Sequence, residues 1–381
     1  MAVTNDLATD QRVDRHCRTL VEAGYRVLLI GRKMEGSPQV ERPYPTERMQ
    51  LRHHRGWRFY AKYNHRLYLR LIQIQPDVVW ANDTDTLLGC WLAARRLRCK
   101  LVMDAHELFP EVPELQHKPI VKCIWTTLER WLMPRCDARL TVCQSLADYY
   151  YRKYRVEMAV VRNLPSENIY VKDETTDAIP DSPLSFHLSP FTLLYQGAVN
   201  LGRGVDWAID ALEWLPKCRL VVAGDGDLME QMQEYAQHKP WHDRIEFTGR
   251  LEPTKLARLT RQASVGLVML EDLGLSYHYA LPNRIGDFIA AGVPIVVSDL
   301  PEMADIVRRY HVGEVMHTSG PRALAESVEK LLGQQWTDAD FAEARRHMDW
   351  NNEKKKLTEC VNVLMHEREE IGTSNTNALT N

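Results

Sequence analysis

Asn283, Arg284 and Asp287 stand at the head of a short apolar stretch that ends at Gly292. Asparagine is a residue type that caps a helix N-terminus. Arg284 and Asp287 fall about one turn apart on the helix so begun, and Gly292 is the residue type that ends one. Residues 293–298 then read as a buried strand. A cation, a carboxylate and a helix N-terminus thus meet beside the end of a sheet. That combination can hold an anionic leaving group next to a sugar ring. Leu281 and Pro282 lead into the same turn.

Three other strand-like runs of the second half end in comparable chemistry. Gly197 opens a turn running to Arg203 and Gly204, where the guanidinium can reach a phosphate at the following helix N-terminus. Gly224, Asp225 and Gly226 follow the run 219–223, and Thr248, Gly249 and Arg250 follow the run 244–247, with Leu251 next. Any one of these glycines is explained by a tight turn alone. Four successive strand ends offering glycine, a helix start or a cation point to a shared anion site. In the first half, polar residues also follow strands: Asn82 and Asp83, then His106 and Glu107 after Asp104, then Asn163. Ligands of open α/β sheets bind outside such strand ends. His106 suits a sugar hydroxyl, and a surface or capping histidine is the alternative. Asp10 and Arg12 precede the first helix, where a cap and a solvated arginine compete with a role on the cleft side. Asp83-Thr84-Asp85 and Asp225-Gly226-Asp227 have the Asp-x-Asp spacing of a sugar-donor metal site, but metal-dependent transferases of that kind use a single-domain fold that this chain does not resemble. Gly-x-Ser-x-Gly, the phosphate-binding loop and His-Glu-x-x-His are all missing from the sequence. The expectation is a site with no metal and no cofactor.

The elements that must position these residues alternate. Residues 2–4 read as a strand stub. A helix to residue 23 and a strand over 26–31 follow, then strand 77–81, a helix to 97, strand 100–104, a helix over 119–134, and strands 138–142 and 158–161. Residues 172–190 lose core-forming composition and mark a linker, placed at 176–190. The alternation then restarts, with strands at 191–196, 219–223, 244–248, 265–270 and 293–298 and helices between them. The expected domains are 1–175 on the acceptor side and 191–345 on the nucleotide side. A helix over 346–370 packs back on the first domain, and 371–381 form a disordered tail. This order predicts an α/β fold of two Rossmann-like domains.

Bulk properties narrow the classes. The 381 residues suit two domains. A net charge of -3 gives no case for nucleic acid. The eight cysteines are irregularly spaced and read as reduced core residues of a cytoplasmic protein. No apolar run is long enough to span a bilayer, and the first residues do not read as a signal peptide. Residues 42–70 interleave cations (Arg42, Arg48, Arg52, Arg55, Arg58, Lys62, Arg66, Arg70) with Trp57, Phe59, Tyr60, Tyr63 and Tyr68. This pattern reads either as contact with an anionic membrane face or as a solvated helix with its aromatics turned inward.

Tyr195-Gln196-Gly197 with Arg203-Gly204, Val222-Ala223-Gly224-Asp225-Gly226, Phe247-Thr248-Gly249-Arg250, and Leu281-Pro282-Asn283-Arg284 with Asp287 to Pro294 together resemble the nucleotide-sugar domain of retaining glycosyltransferases of family four. The first half is similar in Thr9 to Val13, Asn82-Asp83 and Asp104 to Glu107. The resemblance implies a GT-B fold with two Rossmann-like domains facing a central cleft. It also implies glycosyl transfer from a nucleotide-diphosphate sugar, with retention, to a glycan or lipid-linked acceptor. Arg203 and Arg284 would neutralise the diphosphate in place of a metal. Main chain near Arg250 and Leu251 would meet the base, Asp287 the ribose, and His106 the transferred sugar.

The sequence departs from the family twice. Tyr279 stands where a first glutamate is usual, with Asp287 in place of the second, and Ala198 follows Gly197 where an arginine is usual. Sugar recognition is then left to main chain at 275–280 or to Glu271. Two alternatives stand beside this reading. One is a sugar-nucleotide epimerase using Asp104, Glu107 or Glu271. The other is a nucleotide-sugar-binding protein whose catalysis has decayed.

Overall fold

Parallel pairing governs the chain. In the computed structural model, which describes residues 1–8, 10–165 and 190–378, every strand pair is parallel. Side chains are described up to residue 366, apart from that of residue 114. Thr9 and nearly all of the expected linker fall outside the described residues. The contacts divide the chain into two units, 1–163 with 353–381, and 164–352.

The first unit contains β1 (Leu29–Lys33), β2 (Thr46–Gln50), β3 (Val78–Asn82), β4 (Lys100–Ala105), β5 (Ala138–Thr141) and β6 (Ala159–Val160). Its helices are α1 (Gln11–Glu22), α2 (Gly56–Ile74), α3 (Thr84–Leu97), α4 (Pro119–Leu132) and α5 (Gln144–Tyr154). Strands β3-β4-β5-β6 form one sheet and β1-β2 a second ladder. Ala2 bridges both Ile30 and Ala81, so the N-terminal stub occupies the place between β1 and β3. Helix α1 turns His16, Cys17 and Leu20 inward and starts on a cap made by Asp10. Within residues 42–70, β2 and most of α2 form. Phe59 and Tyr63 are buried, Tyr60 and Tyr68 are half-buried and Trp57 is exposed, so the aromatics of this stretch turn only in part toward the core.

The second unit contains β7 (Phe191–Gln196), β8 (Cys218–Ala223), β9 (Ile245–Gly249), β10 (Val265–Val268), β11 (Ile295–Val297) and β12 (Gly313–Val315). They form one sheet in the order β12-β11-β10-β7-β8-β9. The chain starts at the centre and runs outward first one way and then the other. This places a topological switch point between β7 and β10. Its helices are α6 (Val205–Ala211), α7 (Met229–Gln237), α8 (Pro253–Gln262), the single turn α9 (Leu275–His278), α10 (Arg284–Ala291), α11 (Pro301–Tyr310), α12 (Pro321–Leu332) and α13 (Ala342–His347).

Helix α10 buries Ile285, Phe288 and Ile289 against β10 and β11. Gly292 closes it in the left-handed conformation at φ 73°. Gly266 on β10 makes room for Phe288, since a Cβ there would lie 2.6 Å from the ring.

Three expectations change. The helix expected over 346–370 begins later, as α14 (Trp350–Ala378), and residues 346 and 347 end the separate helix α13. The backbone of α14 is helical to Ala378, which replaces the disordered tail expected from residue 371. The expected cap of α10 is also absent: Asn283 has helical angles and its side chain caps nothing. Helix α14 buries Leu357, Val361 and Leu364 in the first unit and ties to it through Glu353 on Arg162 at 2.8 Å. Among the described residues, no helix is long and apolar enough to cross a membrane.

Filling the space at Gly266 tests this packing. Gly266→Val is expected to destabilise the protein by about 1–3 kcal/mol, the usual cost of overpacking a close-packed core. The check is the urea midpoint, which an accommodating core would leave unchanged.

Candidate functional site

The second unit gathers the loops after β7, β8 and β9 by main-chain bonds. Gly197 N–H donates to Ala223 O and Gly224 N–H to Gly249 O, both at 2.9 Å, and Val199 N–H donates to Asp225 O at 3.0 Å. A Cβ on Gly224 would lie 1.8 Å from Gly197 O, so the first two loops touch only because residue 224 is glycine. Asp225 folds back on the N–H of Gly226, and Asn200 receives the N–H of Asp227. Arg250 is exposed, and Leu251, Leu281 and Pro282 are half-buried.

Arg284 enters this ring of loops from the first turn of α10. It is buried, and its two terminal nitrogens donate to the strand-end carbonyls Gln196 O at 3.2 Å and Met269 O at 3.1 Å. Its guanidinium carbon lies 4.8 Å from the centre of the Tyr195 ring. Arg203 rests in the same way on Tyr277, also at 4.8 Å. The Nε of each arginine is buried with no hydrogen-bond partner. Among the ion pairs of the described residues, neither guanidinium has a carboxylate. Burial lowers the Arg284 pKa, Tyr195 opposes this, and the nearby Arg203 charge lowers it further. Two adjacent cations partly removed from water, held by aromatic faces and with no acid paired to them among the described residues, are chemically suited to a multivalent anion.

Asp287 accepts from Gln196 Nε2 at 3.1 Å, and Gln196 Oε1 accepts from Thr260 at 2.8 Å. The carboxylate is therefore oriented from behind. Residues 275–278 form α9, whose Tyr277 hydroxyl donates to Leu201 O at 3.3 Å. Glu271 donates its N–H to Gly202 O, and burial, then Asp206, raises its carboxyl pKa. Of the supporting residues, Tyr195 and Gln196 enter the sequence reading only within the motif that ends at Gly197, with no role assigned, and Tyr277 and Thr260 are not singled out. Their only signal is that Tyr195 and Gln196 immediately precede Gly197.

The first unit holds a second cluster at the ends of β3 and β4. Asp104 is fully buried and receives Arg12 Nη2 at 2.6 Å and Arg12 Nε at 3.1 Å. His16 and His106 each bring a ring nitrogen to 3.3 Å from it. Burial alone would raise this carboxyl's pKa. The Arg12 and His106 charges outweigh it and hold the group well below the usual range.

His106 keeps 20% of its side chain exposed and places Nδ1 3.3 Å from Asp83. Asp83 also accepts the His106 N–H at 2.8 Å. Asp83 has φ 59°, a conformation that costs about 1–3 kcal/mol in a non-glycine residue and that the surrounding bonds must hold. Burial disfavours the charged imidazole, but Asp83 and Asp104 dominate and raise its pKa to about 9. At neutral pH His106 is therefore an imidazolium between two carboxylates, with both ring nitrogens directed at them.

The geometry corrects several cleft-side expectations. Arg12 is not solvated: it is 4% exposed and spent on Asp104 and Val161 O. Asp10 is the α1 cap, accepting Val13 N–H at 3.0 Å. Asn82 is buried and donates to Ala2 O at 3.0 Å, so it joins the stub to the sheet. Asn163 receives Arg15. Glu107 is exposed, and Asp85 is buried on Thr4 with its pKa raised to about 7 by burial. Among the described residues, no three His, Cys, Asp or Glu side chains are grouped to hold a metal ion.

Comparison with known proteins identifies the family. The model described as Glycosyltransferase Family 4 matches residues 10–164, and that for Glycosyl transferases group 1 matches residues 190–334. The chain is 24% identical to the alpha-monoglucosyldiacylglycerol synthase of Streptococcus pneumoniae over 68% of its own length and 60% of the relative's. It spans about half the length of the curated relatives it matches. The sucrose-phosphate synthase of Thermosynechococcus elongatus superposes with a TM-score of 0.76 at 15% identity, covering 93% of each chain. HepE of Anabaena, solved with UDP-glucose, superposes at 0.69 and 15% identity over 95% of this chain and 98% of that one. These likenesses show the GT-B fold.

Two measurements test the first-unit cluster. His106 is expected to titrate near pH 9 by NMR. Because its folded pKa is raised, its stabilisation is complete below about pH 6.5 and is lost as pH rises toward 9. His106→Gln should therefore flatten the fall in stability across that window, and an unaltered profile would contradict the assignment. Arg12→Leu leaves Asp104 buried without its principal counter-charge and is expected to cost about 3–5 kcal/mol in a denaturant melt.

Proposed function

The chain belongs to glycosyltransferase family 4, and we propose that it transfers a hexosyl group from a nucleotide-diphosphate sugar to a glycan or lipid-linked acceptor. We propose further that transfer retains anomeric configuration and uses neither metal ion nor cofactor, in the synthesis of a surface polysaccharide or glycolipid. The observation that carries this reading is the pair of guanidinium groups, Arg203 and Arg284, without carboxylate partners at the switch-point end of the second sheet.

In this reading the diphosphate lies across the two arginines. Negative charge grows on the leaving diphosphate as the glycosidic bond breaks. Preorganised cations shielded from water stabilise that charge more in the transition state than in the ground state. The glycine loops at 197, 224 and 249 let backbone N–H groups approach the ligand closely. Asp287, held by Gln196, suits the ribose hydroxyls, and main chain at Arg250 and Leu251 suits the base. His106 serves the transferred sugar as a cation fixed by Asp83 and Asp104. Since Tyr279 stands at the position of the usual first glutamate, selection of the sugar falls to the α9 region and Glu271. A lipid-linked acceptor would bring the enzyme to a membrane surface, and the curated relative from S. pneumoniae is named for a diacylglycerol product.

The test is turnover of a panel of nucleotide sugars with lipid and oligosaccharide acceptors, before and after EDTA. One nucleotide sugar is expected to be consumed in the presence of acceptor, with unchanged rate in EDTA. Arg284→Ala or Arg203→Ala should lower kcat by roughly 10²–10³ while the fold persists. NMR of the product's anomeric proton decides retention. Consumption of no donor, or turnover indifferent to both arginine substitutions, would overturn the proposal.

A further inference from the structure

Helix α4 of the first unit has its apolar residues on two opposite faces. The inner face buries Trp125, Glu129 and Leu132. Tyr60 and Phe109 pack edge-on against the Trp125 ring, each at 4.9 Å. The outer face is also apolar. Ile120, Ile124 and Trp131 fall at i, i+4 and i+11 on one stripe and are 77%, 54% and 42% exposed. Large apolar side chains in an exposed line are unusual for a helix facing only water.

The charges around the stripe have one sign. Lys118, Arg130 and Arg135 are exposed at its ends and flank, and the acid of α4, Glu129, is fully buried on Thr84 and Tyr154. Lys122 is paired with Glu111 at 2.6 Å, so it adds little. Arg135 lies over the Trp131 ring at 5.3 Å, and Arg95 lies over the adjacent Trp91 at the same distance. Indole rings with guanidinium groups beside them suit a boundary where one side is hydrocarbon and the other is charged headgroup. At 14 residues the helix is long enough to lie in such a boundary and too short to cross it.

We infer that the outer face of α4 docks on the surface of a phospholipid bilayer containing anionic lipids. The stripe enters the acyl boundary, and the cations meet the headgroups. This face moves the membrane contact away from the basic stretch 42–70, where Phe59 and Tyr63 turn inward and Arg42, Arg48 and Arg70 are engaged within the protein. It is independent of the donor site, since no residue of the arginine pair takes part.

The experiment is sedimentation of the full chain with vesicles of phosphatidylcholine alone or mixed with phosphatidylglycerol. Binding is expected to the mixed vesicles and to weaken with salt. Ile120→Glu with Ile124→Glu should reduce it at least tenfold, because two side chains lose their transfer into hydrocarbon. Lys118→Glu with Arg130→Glu should reduce it roughly tenfold as well. All four positions are exposed, so melting temperature and nucleotide-sugar binding should stay as in the wild type. Binding that survives the isoleucine pair, or that is lost only on charge reversal of Arg52, Arg55, Arg58 and Lys62, would overturn the inference. So would a wild-type chain that ignores both vesicles and instead forms a dimer dissolved by the isoleucine substitutions.

Discussion

Two positive charges held close together, with no acid between them, are the constraint on which the second unit turns. Arg203 and Arg284 repel one another, and each gives up part of its hydration. The fold accepts this because each guanidinium lies on a tyrosine face and because Arg284 is tied to two strand-end carbonyls. Those carbonyls belong to the last residue of β7 and the residue just after β10, the strands on either side of the switch point. The cation pair is therefore fixed by the same parallel pairing that builds the sheet. A multivalent anion would supply the missing counter-charge, and in the proposed reading the glycine loops and the oriented carboxylate of Asp287 share it as a ligand.

The first unit solves the opposite problem. Its buried charge is a carboxylate, Asp104, and it is satisfied several times over by Arg12, His16 and His106. Asp83 and Asp104 together stabilise the imidazolium of His106 against burial and the Arg12 charge, and the bonds from His106 help hold Asp83 at its positive φ. One cluster is thus closed on itself and stiff, and the other is left open for a ligand. This contrast makes the arginine pair the stronger guide to chemistry.

Much of this was legible in the sequence, for identifiable reasons. Alternating strand and helix patterns with glycine at strand ends give the parallel α/β plan, because local periodicity encodes it. The residues from Leu281 to Pro294 announce a helix start, a stop and a buried strand in order. What escaped depends on contacts distant along the chain. Arg12 read as a cleft-side or a solvated residue because nothing near it foretells Asp104, which lies 92 positions away. Asn82 read as a ligand residue because its bond to Ala2 spans 80 positions. Asn283 has the right type for a cap, yet the chain already has helical angles there and the side chain turns elsewhere. The roles of Tyr195 and Tyr277 under the arginines were not legible, because nothing in the local sequence pairs Tyr195 with Arg284 or Tyr277 with Arg203. Stretch 42–70 drew attention by composition, whereas the exposed apolar stripe of α4 hides in an ordinary-looking helix whose second face is the unusual one.

If the arginine pair is the heart of the site, then the diphosphate, rather than base or sugar, supplies most of the ligand's affinity. Calorimetry of the wild-type protein with the preferred nucleoside and with its diphosphate measures this directly. The account predicts that the diphosphate binds at least about 100-fold tighter, as two charge-assisted contacts together require, and that the gap shrinks as salt rises. Equal affinity for the nucleoside and its diphosphate would contradict it.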